Sequence, residues 1–166
     1  FNPNAMPNPI KEALLNRGWA GKTITRAETV ERLNPLLLQF LRLNHNYQYV
    51  IRSHSDTAVT EALKRVQKTA RADVGKLSET ILSSGGTPEN GTDLEPEDFN
   101  LGNDELDMLY QLEDLETEFN ETLAREPSEV EHQIRTRRIL EAVKSNSEER
   151  LELIGDLIER AEAAIR

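Results

Sequence analysis

The sequence predicts an all-α protein: an antiparallel four-helix bundle with one long crossover between its second and third helices, plus a short N-terminal arm. Aromatic residues make up only 5% of the 166 residues, so the core must be built from Leu, Ile, Val and Ala, a mixture that favours helices. Apolar residues recur at spacings of three and four in four long segments, and nothing alternates with period two. One long irregular stretch separates the segments into two pairs.

Composition excludes several classes of function. The chain has no cysteine, which excludes disulfides, thiol catalysis and cysteine-ligated metals. Its formal charge of -10 argues against binding to nucleic acid or to an anionic membrane surface. No apolar run approaches the roughly 20 residues of a membrane span. We therefore expect a cytoplasmic protein with neither nucleic acid nor membrane as a partner.

The N-terminal region divides into two parts. Residues 1–5 resemble the tail of a cloning tag because Asn-Ala precedes Met6. Residues 6–32 are expected to form an arm in which a short amphipathic helix, Ile10 to Arg17, and the indole of Trp19 pack on the main body. The bundle itself is expected to span residues 33–166.

The first two helices form the first predicted pair. The first starts near Asn34-Pro35, where Asn can cap and Pro suits the first helical position, and a shorter helical turn precedes it from Thr25 to Leu33. Ser55 or Asp56 can cap the second helix, which Gly85-Gly86 ends. The crossover, residues 85–102, is rich in Gly, Pro and acidic residues, so we expect it to be weakly ordered and to be cut first by proteases.

The last two helices form the second predicted pair. The third runs from about Asn103 to Arg125 and ends at Glu126-Pro127-Ser128. Ser128 and Glu131 then have the spacing of a capping box that opens the fourth helix, which continues towards Ala164. A short connection, a long one and a short one complete the topology, the arrangement of bundles with a single crossover.

Several segments suggest a family. Leu33-Asn34 opens the first helix, and Asn46-Tyr47 lies well inside it. Gly85-Gly86-Thr87-Pro88 follows the second helix, and Glu148-Glu149 precedes an apolar run in the fourth. In this order and spacing the chain, from Leu33 to Ala164, resembles the bacterioferritin and rubrerythrin branch of the ferritin-like superfamily. It also resembles small uncharacterised bacterial ferritin-like proteins that have a long, charged last helix.

The resemblance implies positions for a di-iron site, which takes one Glu from each of two helices and a Glu-x-x-His pair from each of the other two. Ungapped matching of each helix places Glu113 where the family has Glu, with Glu116 close by, and it is the one match. An apolar ring and a cation fall at two of the remaining positions, as expected of a bundle that has lost its metals. The positions that match the family site are Phe40, Ala70, Asp73, Glu113, Ser147 and Arg150.

Other candidate metal ligands are weaker. Glu129 and His132 form the one literal Glu-x-x-His, but they lie at the end of the bundle, where acidic residues suit the start of a helix. His45 and His54 have no carboxylate at ligand spacing and are expected to be surface or helix-end groups. Residual metal binding at Glu113 and Glu116, or at Glu129 and His132, stays open at this stage.

The sequence therefore favours a non-catalytic ferritin-like bundle, without a cofactor or a metal, that serves as a structural or protein-interaction module. The competing hypothesis is a di-iron oxidase or iron-binding mini-ferritin whose ligands the ungapped matching misplaces. A third is a helical module that holds an apolar ligand between its helices. Broad Leu faces favour pairing with an unknown protein or with a second copy, as a homodimer. If the ungapped matches hold, Arg150 should pair with Asp73 or Glu113 inside the bundle, where the metals would be, with Phe40 and Ala70 packed beside it.

Overall fold

Four long helices make up most of the structure, a computed structural model that describes residues 17–18 and 21–166. The predicted all-α, four-helix class is confirmed. The predicted tag remnant, most of the Ile10–Arg17 helix and Trp19 lie outside the described residues. The helices are α1 (Arg26–Ser53), α2 (Thr57–Ser83), α3 (Glu105–Glu129) and α4 (Ile134–Ile165).

Two small elements accompany the helices. A 3-10 helix, Pro96–Phe99, lies between α2 and α3. Before α1, β1 (Arg17–Gly18) and β2 (Gly21–Lys22) form one antiparallel pair. The sequence did not predict this pair, since two residues are too few for an alternating pattern to be recognised.

Each helix packs on two others. α1 contacts α2 and α3, and α4 contacts the same two helices, so α2 lies diagonally across from α3. The Ile24 amide near the start of α1 donates to Glu131 O just after α3, at 2.9 Å. Near the end of α1, Tyr49 Oη donates to Gly102 O just before α3, at 2.6 Å. α1 and α3 are therefore antiparallel, and residues 84–104 carry the chain back along the bundle before α3 begins.

The core is aliphatic, as the composition predicts, with few aromatic rings. No helix in the described part of the chain has the length and apolar character needed to cross a membrane. The largest apolar side chains that are almost fully buried are Leu33, Leu37, Phe40, Tyr47, Leu63, Leu77, Ile81, Leu109, Leu112, Phe119 and Leu123.

α1 begins earlier than predicted. It starts at Arg26 and continues through Pro35, so the expected boundary between arm and bundle at residue 33 falls inside a helix. Thr25 and Glu28 form a capping box: the Glu28 amide donates to Thr25 Oγ1 at 3.1 Å, while Glu28 Oε1 accepts from the Thr25 amide. This reciprocal cap satisfies two amides at the true start, and the rest of the helix tolerates the single hydrogen bond that Pro35 removes.

The connection between α3 and α4 also differs from the prediction. α3 passes through Pro127 and ends at Glu129, and α4 starts at Ile134 without a side-chain cap. Ser128 does not cap α4: its hydroxyl donates to Arg125 O at 2.6 Å within α3. The predicted capping box with Glu131 is therefore wrong. Contacts from α1, described below, hold the last turn of α3 helical.

The end of α2 follows the prediction. The Gly86 amide donates to Ile81 O and the Gly85 amide to Leu82 O, both at 3.0 Å, which is the pattern of a Schellman motif. Gly85 adopts a φ of 87°, a conformation that favours glycine. A Cβ at Gly86 would lie 2.5 Å from Val30 Cγ1, so glycine lets the chain leave α2 directly against α1.

The crossover is anchored along α1, which differs from the expectation of a weakly ordered segment. Asn34 bonds it twice, since its Nδ2 donates to Thr87 O and its Oδ1 accepts from the Glu89 amide, both at 3.0 Å. Further along, the Phe99 ring stacks on His45 with 4.8 Å between centroids. Composition could not predict these contacts because the partners lie on α1, about 55 residues away in sequence for Asn34 and Glu89.

We expect Asn34→Ala to release the start of the crossover. Losing its two hydrogen bonds should raise the population of the opened segment by about fivefold, which corresponds to about 1 kcal/mol. Limited proteolysis should then cut faster within residues 87–102. Asn90→Ala is the matched control because its side chain bonds only Thr92 within the same turn. Equal cutting of both variants would show that Asn34 does not hold the crossover.

Candidate functional site

The centre of the bundle contains a buried cation. Arg150, in the middle of α4, is 1% exposed. Its Nε donates to Glu116 Oε1 on α3 at 2.6 Å. Its Nη1 lies 3.9 Å from Asp73 Oδ2 on α2, close enough for attraction between charges but too far for a hydrogen bond. An unpaired guanidinium at this depth would be very costly, so these two carboxylates make its burial tolerable.

α1, the fourth helix around this centre, contributes aromatic rings to it. The Arg150 guanidinium carbon lies 5.3 Å from the centroid of the Phe40 ring, within the range of a cation–π contact. Phe40 also stacks on Phe119 of α3, with 4.3 Å between centroids and 26° between ring planes. Tyr47 is fully buried two turns further along α1. All four helices therefore meet around one charged group.

Asp73 has partners of its own. Its side chain is fully buried, and Asn146 Nδ2 donates to its Oδ2 at 2.9 Å. Lys76 Nζ lies 3.3 Å from the other carboxylate oxygen, and the lysine side chain is half exposed. Asp73 thus shares its charge among a surface lysine, an amide and the buried arginine. We assign it a supporting role because Glu116 makes the shorter contact to Arg150.

Burial dominates the acid–base properties of the centre. It raises the pKa of Glu116, against the opposing effect of the Arg150 charge. Burial also raises the pKa of Tyr47 well above its ordinary value, and the Glu116 charge adds to that effect. The hydroxyls of Tyr47 and Ser147 are close enough to favour the charged form of Glu116, but neither forms a hydrogen bond of good geometry. The network is polar, buried and only partly satisfied.

Five of the six positions matched to the family site are buried: Phe40, Ala70, Asp73, Ser147 and Arg150. The sixth, Glu113, is half-buried and lies over α4, with Oε2 4.0 Å from where a Gly155 Cβ would stand. Glu116, one turn further, is the α3 carboxylate that pairs with Arg150. The expected contact from Arg150 to Asp73 is therefore present as an ion pair, and the suggested alternative, Glu113, is replaced by Glu116.

A signal in the sequence could have identified Glu116. Leu112, Glu116, Phe119 and Leu123 follow one another at spacings of four, three and four, so the buried stripe of α3 passes through Glu116. The neighbouring Leu115 is only partly buried. A carboxylate in an otherwise apolar stripe is the pattern that marks a buried charge.

A second charged cluster links the C-terminal end of α3 to α1, and its members are Arg32, Glu126, Glu129 and His132. Arg32 forms two hydrogen bonds to Glu126, from Nε at 2.8 Å and from Nη2 at 2.9 Å, and Nη2 also contacts Glu129. His132 Nε2 lies 3.0 Å from Glu126 Oε1, and the ring is 2% exposed. These bonds hold residues 126–129 helical despite Pro127, which explains the late end of α3.

The two residues of the literal Glu-x-x-His motif therefore have different partners in this cluster. Glu129 pairs with Arg32, and the hydrogen bond to Arg32 lowers the Glu129 pKa. His132 pairs with Glu126 instead of Glu129. A guanidinium lies between the two carboxylates, where a metal would meet a positive charge. The arrangement is that of a structural ion-pair network.

The remaining histidines are helix-end and surface groups. His54 Nδ1 accepts from the Asp56 amide at 3.0 Å just after α1, and its Nε2 lies 3.9 Å from Glu105. His45 stacks on Phe99 of the crossover. Within residues 17–18 and 21–166, three or more His, Asp or Glu side chains nowhere come together in a group that could hold a metal ion.

Comparison of the sequence with models of known protein families gives no match, and comparison with curated proteins gives none either. Function is therefore inferred from the geometry of the site.

Replacing Arg150 should destabilise the fold strongly. Arg150→Ala leaves Glu116 buried without its cation and should lower the free energy of unfolding by about 3–5 kcal/mol, measured by urea denaturation. Arg160→Ala is the matched control on the exposed face of α4 and should change it by no more than about 0.5 kcal/mol. Similar losses in the two variants would show that the buried pair contributes little.

A double variant separates the ion pair from simple loss of volume. Arg150→Met fills similar space, and Arg150→Met/Glu116→Leu should be more stable than Arg150→Met alone because no carboxylate is left unpaired. The deficit of Arg150→Met should also shrink as the pH falls towards the ordinary Glu pKa of 4.5. Burial raises the folded-state pKa of Glu116 and the Arg150 charge opposes that effect, so the pKa rises further in Arg150→Met. Folding of the variant then takes up a proton, and stability is lost as pH rises through that pKa. Additive effects and a flat pH profile would contradict this account.

Proposed function

We propose that this chain is a ferritin-like bundle in which an ion pair has replaced the di-iron centre, and that it acts as a non-catalytic structural or protein-interaction module. The observation that carries the proposal is the pairing of Arg150 with Glu116, the first 1% exposed and the second fully buried. The order of helix contacts and the return connection along α1 support the family assignment. So does the burial of five positions that the resemblance selects.

The side chains at the centre do not fit a di-iron site. A pair of iron ions calls for about six ligands, from carboxylates and imidazoles. Two carboxylates are present, Glu116 and Asp73, and the Arg150 guanidinium stands between them. Phe40 and Ala70 offer no donor atoms, and their apolar side chains pack in the core. A fixed positive charge beside two cations would be repelled, so this chemistry favours a structural role.

The partner of such a module stays a prediction, as does the cytoplasmic location. The Leu faces that favoured a homodimer point inward, since most of their members belong to the buried core. In the described part of the chain the large exposed apolar side chains are Leu82, Tyr110, Ile134 and Ile165, which lie near helix ends. A partner of this module would therefore meet a surface that is mainly polar and charged.

The first test measures iron directly. The purified chain, incubated with ferrous iron, should hold well under one iron per chain and should not accelerate iron oxidation, because its donor set is incomplete. Two irons per chain, lost on Glu113→Gln, would overturn the proposal. That result would support the alternative of a di-iron oxidase or mini-ferritin with misplaced ligands.

The second test restores the missing ligands and so examines the family assignment. The changes are Phe40→Glu, Ala70→Glu, Asp73→His, Ser147→Glu and Arg150→His. Together with Glu116 they recreate one Glu on each of two helices and Glu-x-x-His on each of the other two. This variant should gain tight iron binding, and adding Glu116→Gln should remove it, whereas adding Glu113→Gln should not. A helical variant, verified by circular dichroism, that binds no iron would contradict the ferritin-like assignment.

A further inference from the structure

A cleft between α2 and α4, beside the start of α1, concentrates positive charge on an acidic protein. Its volume is about 170 Å³. Three helices each supply one cation to its lining: Arg26 from α1, Lys76 from α2 and Arg135 from α4. One carboxylate, Glu79, also lines it. The local balance is thus positive, while the whole chain carries a net charge of -10.

Two of these three cations are available to bind an anion. Lys76 already contacts the buried carboxylate of Asp73, so its charge is partly committed to the bundle centre. Arg26 and Arg135 are exposed, and neither forms an ion pair with another described residue. Two guanidiniums on different helices that face one cleft repel each other unless an anion lies between them. Their position calls for a negatively charged ligand.

Neutral donors line the same cleft. Thr136 is 6% exposed, and its hydroxyl forms no hydrogen bond with another described residue, although the side chain lines the cleft. The hydroxyls of Thr80, Ser83 and Ser84, in contrast, donate to carbonyls of α2. Gln133 makes no side-chain cap at the start of α4, so the first amides of that helix are not satisfied by a cap. Two arginines, the Thr136 side chain and the uncapped start of α4 together form an oxyanion-binding set.

We propose that this cleft binds a tetrahedral dianion, namely a phosphate group, either as free inorganic phosphate or on a small soluble ester. Arg26 and Arg135 contact the anion from two sides, and Thr136 donates from the wall. The volume is below the roughly 300–1,000 Å³ of clefts that enclose drug-sized ligands, which favours a small group. Neither Arg150 nor Glu116 lines the cleft, and the proposal does not depend on the ferritin-like assignment.

The test is a titration of the intact, ¹⁵N-labelled chain with inorganic phosphate and, separately, with glycerol 2-phosphate, at fixed ionic strength in chloride. We expect saturable amide shifts at Ile134 to Arg137. Binding of both compounds indicates recognition of the phosphate group on an ester, and binding of phosphate alone indicates the free ion. Arg26→Ala and Arg135→Ala should each weaken the affinity by about tenfold, the effect of losing one charge-assisted contact.

Arg138→Ala is the matched control, because Arg138 is an exposed arginine on α4 that does not line the cleft. It should leave the affinity within about twofold of the original. Thr136→Val should also weaken binding, and the α4 amide spectrum of each variant should confirm that it is folded. Absence of saturable shifts, the same shifts with chloride alone, or equal weakening by Arg138→Ala would overturn the proposal.

Discussion

Arg150 is a cation held among four helices, and its burial sets a condition on each of them. A guanidinium removed from water needs carboxylates within a few ångströms, which α3 supplies through Glu116 and α2 through Asp73. α1 supplies the Phe40 ring over its face. Sliding any one helix by a turn would separate these partners, so the pair fixes the register of the bundle more sharply than interchangeable Leu contacts can.

α1 organises the rest of the molecule in the same way. Its middle packs on the buried ion pair, while Arg32, nearer its start, holds the last turn of α3 through Glu126 and Glu129. On another face, Asn34 bonds the crossover. The buried ion pair, the last turn of α3 and the crossover are thus all held by contacts with α1. Pro35, which was expected to begin a helix, and Pro127, which was expected to end one, are bracketed by these polar contacts, which offset the hydrogen bonds that proline removes.

The same geometry limits what the protein can do. Its centre is polar and buried, and the charge of Arg150 is balanced by carboxylates although not every hydrogen bond is made. Pairs of this kind stabilise or specify a structure more often than they catalyse a reaction. Arg26 and Arg135, which form no ion pair with another described residue, line the surface cleft instead. Because the charges at the centre balance one another, binding of another molecule would take place at the surface. This division agrees with the proposed structural or protein-interaction role.

The sequence by itself determined the all-α class, the number of long helices and the glycine-ended α2, because periodicity and local turn chemistry are properties of neighbouring residues. The position of Arg150 at the bundle centre was expected only from the family resemblance. It also held a signal for Glu116 in the stripe of α3. Only the tertiary structure decided that α3 continues through proline and that the crossover is anchored. The reason in both cases is that the stabilising partner is distant in sequence: Glu126 for Arg32, and Glu89 for Asn34. Local rules assign a cost to each proline and flexible segment, whereas the compensating contact exists only once the helices have packed.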